Sequence, residues 1–252
     1  MRGWRYIVPN FFTAVSLSLG IASILLATEI HLETAAWMCL WCVLLDKVDG
    51  TAARLLRATS RFGSEFDSMA DLVAFGLAPA YLVYTTGRHV WGLKLGEPLW
   101  LLLVIGAGLY ALLTAMRLAR FNLDGHKPGS RHFEGLPSPL CGTIMASTVL
   151  VATKYAISIE WMKFFPVVAV LLGLGMVSRL PVPKLVPRKN LAFNIFQITN
   201  IVLTYVAGFG MVLPEYLLGL ALFYLIIGTT HGLIRPPENL DEKIPSPQEG
   251  EG

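Results

Sequence analysis

Charged side chains are scarce in this chain: Asp, Glu, Lys and Arg make up 15% of its 252 residues, against 54% hydrophobic, and the mean hydropathy is +0.59. So little charge excludes an ordinary soluble domain of this size and points to a membrane protein. Cysteine is nearly absent as well. Cys39, Cys42 and Cys141 lie in or beside apolar runs, where a free thiol acts as a small hydrophobe. Cys39 and Cys42 read C-x-x-C, but no second ligand pair or soluble βαβ context accompanies them, which disfavours a redox or zinc role. There is no internal repeat. No small-residue cleavage site follows the first apolar run, so a cleavable signal peptide is not expected and the first helix stays. The formal net charge of +3 requires no nucleic-acid partner.

What the chain has in abundance is long apolar segments. Ile7 to Ala27 is 21 residues without a charge; as a helix it reaches roughly 31 Å, about one hydrocarbon core. Further spans are expected near Ala35 to Ala53, Leu72 to Thr86, Leu99 to Met116, Leu140 to Thr153, Phe164 to Val177, Ile195 to Leu213 and Tyr216 to Leu233. Several are shorter than the roughly 20 residues a perpendicular span wants, so their ends must run into flanking polar residues. The pattern predicts an all-α, polytopic transmembrane bundle of eight helices.

The basic residues set the expected orientation, because Lys and Arg are retained on the cytoplasmic side during insertion. With the N-terminus inside, 16 of the 20 fall on inside segments, and only Arg88, Lys94, Lys154 and Lys163 fall outside. Both termini are therefore expected in the cytoplasm. The chain divides into a core at 1–184, an added C-terminal pair of spans within 185–235, and a tail at 236–252. That tail is rich in Pro, Glu, Asp, Gly and Ser, has little to bury, and is expected to be disordered.

Against this background four acids stand out in the stretch from Leu45 to Ala80: Asp46, Asp49, Asp67 and Asp71. An Asp at the centre of a membrane helix costs roughly 2.5 to 3.5 kcal/mol, so four cost on the order of 10 kcal/mol, less near the interface. At 100° per residue Asp46, Asp49, Gly50 and Ala53 share a narrow sector of one helix face. Asp67 and Asp71, four apart, share a face likewise. Folding the two helices together through the turn from Leu55 to Phe62 lets the four carboxylates converge. Mg²⁺ or Mn²⁺ would remove their repulsion, since hard divalent cations prefer carboxylate oxygens and are commonly completed by substrate phosphate. Four acids can hold two such ions. Gly50 and Ala53 leave room for a bulky ligand near the helix backbone, and Gly63 can do so from the loop. No His accompanies the acids, which disfavours zinc.

Asp49-Gly50, Ala53-Arg54, Gly63, Asp67 and Asp71 reproduce the signature D-G-x2-A-R-x8-G-x3-D-x3-D, and the sequence thereby resembles the CDP-alcohol phosphatidyltransferases. Asp46 fits that family's extra leading Asp, giving eight fixed positions over 26 residues. Four other segments look like the integral-membrane phosphatidylserine synthases: Val8 to Thr13, Phe75 to Ala80, Arg117 to Asn122, and Phe133 to Pro139. The likeness runs from about Ile7 to Lys184. Members often stop after six spans, so the final pair is a departure.

The resemblance implies transfer of a phosphatidyl group from CDP-diacylglycerol to an alcohol, with release of CMP, on the cytoplasmic face of the cell membrane. It implies metal ligation by Asp46, Asp49, Asp67 and Asp71, a general-base role for Asp71, and nucleotide contact at Gly50, Ala53, Arg54 and Gly63. A homodimer is expected from the family. Serine needs one partner for its carboxylate and one for its ammonium, and Arg117, Arg120, Asn122 and Arg131 are the candidates. Positive charge at helix ends accounts for these residues equally well. A basic cluster would also suit glycerol 3-phosphate or inositol phosphate, so the preference for serine rests on the resemblance, and an archaeal ether-lipid donor stays open. Phe75 to Ala80 carries a packing reading too, in which Gly76 and Pro79 bend or tighten a helix. From another class, an ion-coupled transporter could also bury acids, but it should show matching discontinuities in two halves, and here the acids are confined to one helix pair.

Overall fold

The computed structural model describes residues 4–58, 60–124, 132–183 and 191–234. Arg131, the tail at 236–252 and several basic residues of the orientation argument (Arg2, Lys127, Lys184, Arg188, Lys189, Arg235 and Lys243) lie outside the described residues. Within them the chain is almost wholly helical. α1 (Trp4–Thr28), α2 (Leu32–Leu55) and α3 (Arg61–Asp71) come first; α3 continues through a π-helical segment, Leu72–Leu77, into α4 (Ala78–His89). α5 (Pro98–Asp124), α6 (Ser138–Lys154), the short α7 (Ile159–Met162) and α8 (Phe165–Val177) follow, then α9 (Leu191–Phe209) and α10 (Pro214–Ile234).

Every expected span coincides with a helix. Six stretches are long and apolar enough to cross a membrane: Arg5–Thr28, Arg61–His89, Pro98–Leu123, Ile159–Val177, Leu191–Phe209 and Pro214–Ile234. The chain is therefore an integral, multi-pass membrane protein. α2 falls short of that standard through the charge of Asp46, Lys47 and Asp49, and α6 through its 17 residues. The span expected from Leu72 begins a full three turns earlier, at Arg61, because Ser60 caps α3: extended at φ −138° and ψ 155°, it accepts the Gly63 N–H at 2.9 Å.

The π segment has a covalent cause. Pro79 has no N–H, so the Phe75 carbonyl loses its usual donor four residues on, and the Ala78 N–H reaches back five residues to Val73. The orphaned carbonyl is taken by the buried Tyr110 hydroxyl of α5 at 2.9 Å. Gly76 lets α5 approach: a methyl group there would stand 3.2 Å from Thr114. The segment Phe75 to Ala80 thus packs a helix.

Small residues close the α1–α2 contact. Ser23 donates to the Ala35 carbonyl at 2.8 Å, and Cys42 to the Ser16 carbonyl at 3.3 Å. All three cysteines are buried and unpaired as disulfides. One feature is not legible from the apolar pattern: β1 (His132–Glu134) pairs antiparallel with β2 (Pro181–Pro183). α9 lies along α2, where the Trp41 indole donates to the Gly208 carbonyl at 2.7 Å and the Tyr205 hydroxyl to the Leu44 carbonyl at 3.2 Å. α10 packs on α6 and β2, its first turn fixed by an ion pair between Glu215 and Lys154.

Candidate active site

The site is built where the C-terminal half of α2 meets α3. Between the two helices Arg57 takes a left-handed φ of 49°, and Asp67 of α3 comes to face Asp46 and Asp49 of α2. One carboxylate oxygen from each of these three residues lies within 4.8 Å of the others. Full negative charges that close repel by about 3.5 kcal/mol per pair at an effective dielectric near 20. Among the described residues the cations whose fields reach Asp46 are Lys47, Arg117 and Arg54. Lys47 stands 3.6 Å from Asp46, but its side chain is 63% exposed and its field is screened. Arg54 is exposed, and among the described residues its hydrogen bond goes to Thr51 of its own helix, at 3.4 Å.

A hard divalent cation fits this oxygen set, since it converts three repulsions into three attractions and asks for no His or Cys. Asp49 is the most enclosed of the three, 5% exposed. The Thr13 hydroxyl of α1 lies 3.0 Å from its Oδ2 and 3.2 Å from the Pro9 carbonyl, which ties the carboxylate to α1. Thr13 was not singled out in the sequence. It closes the segment Val8 to Thr13 that carried part of the resemblance, but its partner is 36 residues away.

Asp71 stands apart from the tight triad. It lies one turn along α3 from Asp67, on the same face, and is not one of the three acids whose oxygens lie within 4.8 Å of one another. It still lies in the field of Asp46, Asp67 and Asp49, and of the Arg117 guanidinium. The glycines differ. Beside Asp49 a methyl group added to Gly50 would meet nothing within 4 Å, so the helix backbone is open there. Gly63 is instead hemmed in by Ser60 and Asn10, at 3.0 and 3.2 Å from the same added atom, and serves the cap of α3. Ala53 is half-buried.

The acceptor candidates fall in two groups. Arg117 is 9% exposed; its Nη1 donates to Ser138 Oγ at 2.9 Å, and its Nε has no hydrogen-bond partner. Arg120 directs its guanidinium to backbone carbonyls, Val177 at 2.5 Å, Ser178 at 3.2 Å and Glu134 at 3.3 Å. Asn122 bridges to α3, accepting from Ser68 at 2.9 Å and donating to Glu65 at 3.1 Å. Ser68 escaped the sequence reading, and Ser138 entered it only as part of the segment Phe133 to Pro139, because their partners lie on another helix. Arg131 lies outside the described residues.

The family model described as CDP-alcohol phosphatidyltransferase matches residues 6–175, which include every acid of the site. This chain belongs to the CDP-alcohol phosphatidyltransferase family. It is an enzyme of that class, and the family's general dependence on divalent metal agrees with the acid cluster. The transporter reading falls away. Among curated relatives it is similar to a CDP-diacylglycerol–serine O-phosphatidyltransferase of Helicobacter pylori, 34% identical over 225 residues, covering 88% of this chain and 90% of the relative. A protein of the same name from Methanocaldococcus jannaschii is 29% identical over 221 residues, 88% of this chain and 92% of the relative. An archaetidylserine synthase of Methanothermobacter thermautotrophicus is 32% identical over 149 residues, 57% and 58% of the two chains.

Proposed function

We propose that this enzyme transfers the phosphatidyl group of CDP-diacylglycerol to the hydroxyl of L-serine, giving phosphatidylserine and CMP. The observation that carries the reading is the carboxylate triad of Asp46, Asp49 and Asp67 beside the open backbone at Gly50, on a chain akin to enzymes named for that reaction. Two Mg²⁺ or Mn²⁺ ions, held by these acids with Asp71, would neutralise the diphosphate and the charge that builds on departing CMP.

The protein's own groups do the rest. Gly50 and Ala53 leave space for the nucleotide diphosphate against α2, Gly63 sets the turn of α3 beside it, and Arg54 offers a cation at the rim. Asp71 accepts the proton of the serine hydroxyl as its oxygen bonds to the phosphorus that carries the diacylglycerol; the bond from that phosphorus to the CMP oxygen breaks, and CMP leaves with the electron pair. Arg117 presents an enclosed cation to the serine carboxylate, with Arg120, Asn122 and Arg131 completing the acceptor side. Catalysis takes place on the cytoplasmic face of the cell membrane, in a homodimer whose catalytic unit is residues 1–184. Likeness to an archaetidylserine synthase favours a second reading of the donor alone, with an ether-linked lipid in place of the diacyl one.

The test is CMP release by purified full-length enzyme from CDP-diacylglycerol with Mn²⁺ or Mg²⁺, with serine, glycerol 3-phosphate and inositol phosphate offered in parallel. Serine-dependent release is expected. Release with another alcohol and none with serine would overturn the acceptor assignment.

A further inference from the structure

α9 and α10 lie beyond residues 6–175, and none of the four acids belongs to them. α10 nevertheless meets the acceptor side of the molecule through the β1–β2 ribbon. Tyr224, Gly228 and Gly232 recur every four residues and share one face of α10. β2 lies on that face. The Tyr224 hydroxyl donates to the Pro183 carbonyl at 2.6 Å, Gly228 faces Val182 and Pro183, and a methyl group on Gly232 would collide with the Pro181 carbonyl. Only a surface without side chains admits the strand so closely. Val182 between the two prolines is fully buried.

From β2 the contacts lead to the two arginines. His132, Phe133 and Glu134 pair with Pro183, Val182 and Pro181. The next N–H continues the register, Gly135 donating to Leu180 at 2.9 Å, and Leu136 then leaves it to donate to Gly175 of α8 at 3.0 Å. Gly135, at φ +80°, turns where a side chain would run into the Met176 carbonyl. Three residues later comes Ser138, fully buried, whose hydroxyl holds the Arg117 guanidinium. Arg120 is bound to the Glu134 carbonyl of β1 and to the Val177 and Ser178 carbonyls where α8 ends. Both guanidinium groups are thus held within a few residues of the ribbon, and α10 packs on the ribbon.

We propose that α10 is a positioning element for the acceptor alcohol: Tyr224, Gly228 and Gly232 seat the β1–β2 ribbon, and the ribbon aims Arg117 and Arg120. This rests on the reading that those arginines serve the acceptor. Misplacement by about 1 Å is enough to cost a large factor in productive binding, so a loosened ribbon acts on serine, while the triad on α2 and α3 is untouched.

The experiment uses the full-length enzyme with Gly232→Ala, Tyr224→Phe and, as a control, Tyr216→Phe. Tyr216 bonds Asn200 of α9 at 2.9 Å and makes no recorded bond to the ribbon. Serine KM and kcat, Mn²⁺ binding by electron paramagnetic resonance and thermal midpoint are measured on each. We expect the serine KM to rise about tenfold in Gly232→Ala and about threefold in Tyr224→Phe with Mn²⁺ affinity unchanged, and the KM of Tyr216→Phe to stay at the wild-type value. An unchanged KM in both ribbon variants overturns the proposal even if their midpoints drop, as does an equal KM rise in Tyr216→Phe. If Gly232→Ala does not fold, Tyr224→Phe decides. Wild-type enzyme without serine-dependent CMP release sinks the functional reading and this one with it; serine turnover with flat KM values sinks only this one.

Discussion

Replacing Asp67 by Asn separates a metal-binding acid from a structural one. The side chain keeps its size and can still form hydrogen bonds, but one of three charges clustered within 4.8 Å is gone. Two of the three pairwise repulsions involve Asp67, and at about 3.5 kcal/mol each for full charges their relief is bounded near 7 kcal/mol; solvent and partial protonation bring it down to the order of 2 kcal/mol. Without metal, then, Asp67→Asn should be as stable as the wild type or more so. Cation binding to the folded state alone adds stability, about 2.7 kcal/mol at a hundred times Kd. Wild-type enzyme in detergent should therefore gain several degrees in thermal midpoint on adding Mn²⁺, Asp67→Asn should gain little, and its CMP release should fall by at least about a hundredfold. A variant that melts earlier than wild type without metal, or keeps its turnover, refutes the argument: the first outcome makes Asp67 a structural partner, and the second removes it from the chemistry.

Gly50→Ala puts a better helix former where the added atom meets nothing, so the midpoint should rise by the equivalent of about 0.5–1 kcal/mol while the KM for CDP-diacylglycerol increases; a tighter or unchanged KM counts against nucleotide contact there. Thr13→Val removes the hydroxyl 3.0 Å from Asp49 and, at about 1.5–3 kcal/mol for a hydrogen bond to a charged group, should weaken Mn²⁺ binding roughly tenfold or more in a direct titration. Asp71→Asn should abolish CMP release yet weaken Mn²⁺ binding less than Asp67→Asn does, because its carboxylate is outside the tight triad; loss of binding as severe as in Asp67→Asn would make it chiefly a ligand. Tyr110→Phe leaves the Phe75 carbonyl without a donor in the core, and should lower stability by about 1–3 kcal/mol in thermal unfolding, with the Mn²⁺ affinity of the remaining folded enzyme intact.

The two kinds of information divide along sequence distance. Apolar runs fix helices because hydrogen bonding in a helix is local, and the 3.6-residue repeat puts Asp46 and Asp49 on one face whatever else the chain does. The Pro79 break is also written locally, although the donor that answers it, Tyr110, lies on another helix. The start of α3 could have been read from Ser60 and Gly63, but the apolar pattern begins only at Leu72 and hid it.

What the amino-acid order determined alone is the membrane class, the helices and the acidic faces of α2 and α3, all products of neighbours within one or two turns. Tertiary packing decided that three acids meet tightly while Asp71 stands a turn away, that Thr13 secures Asp49 across 36 residues, and that a two-stranded ribbon joins residues 132–134 to 181–183. Those outcomes depend on which small residues let helices approach and on rise along a rigid helix, and neither the partner nor the depth of a contact is encoded in periodicity.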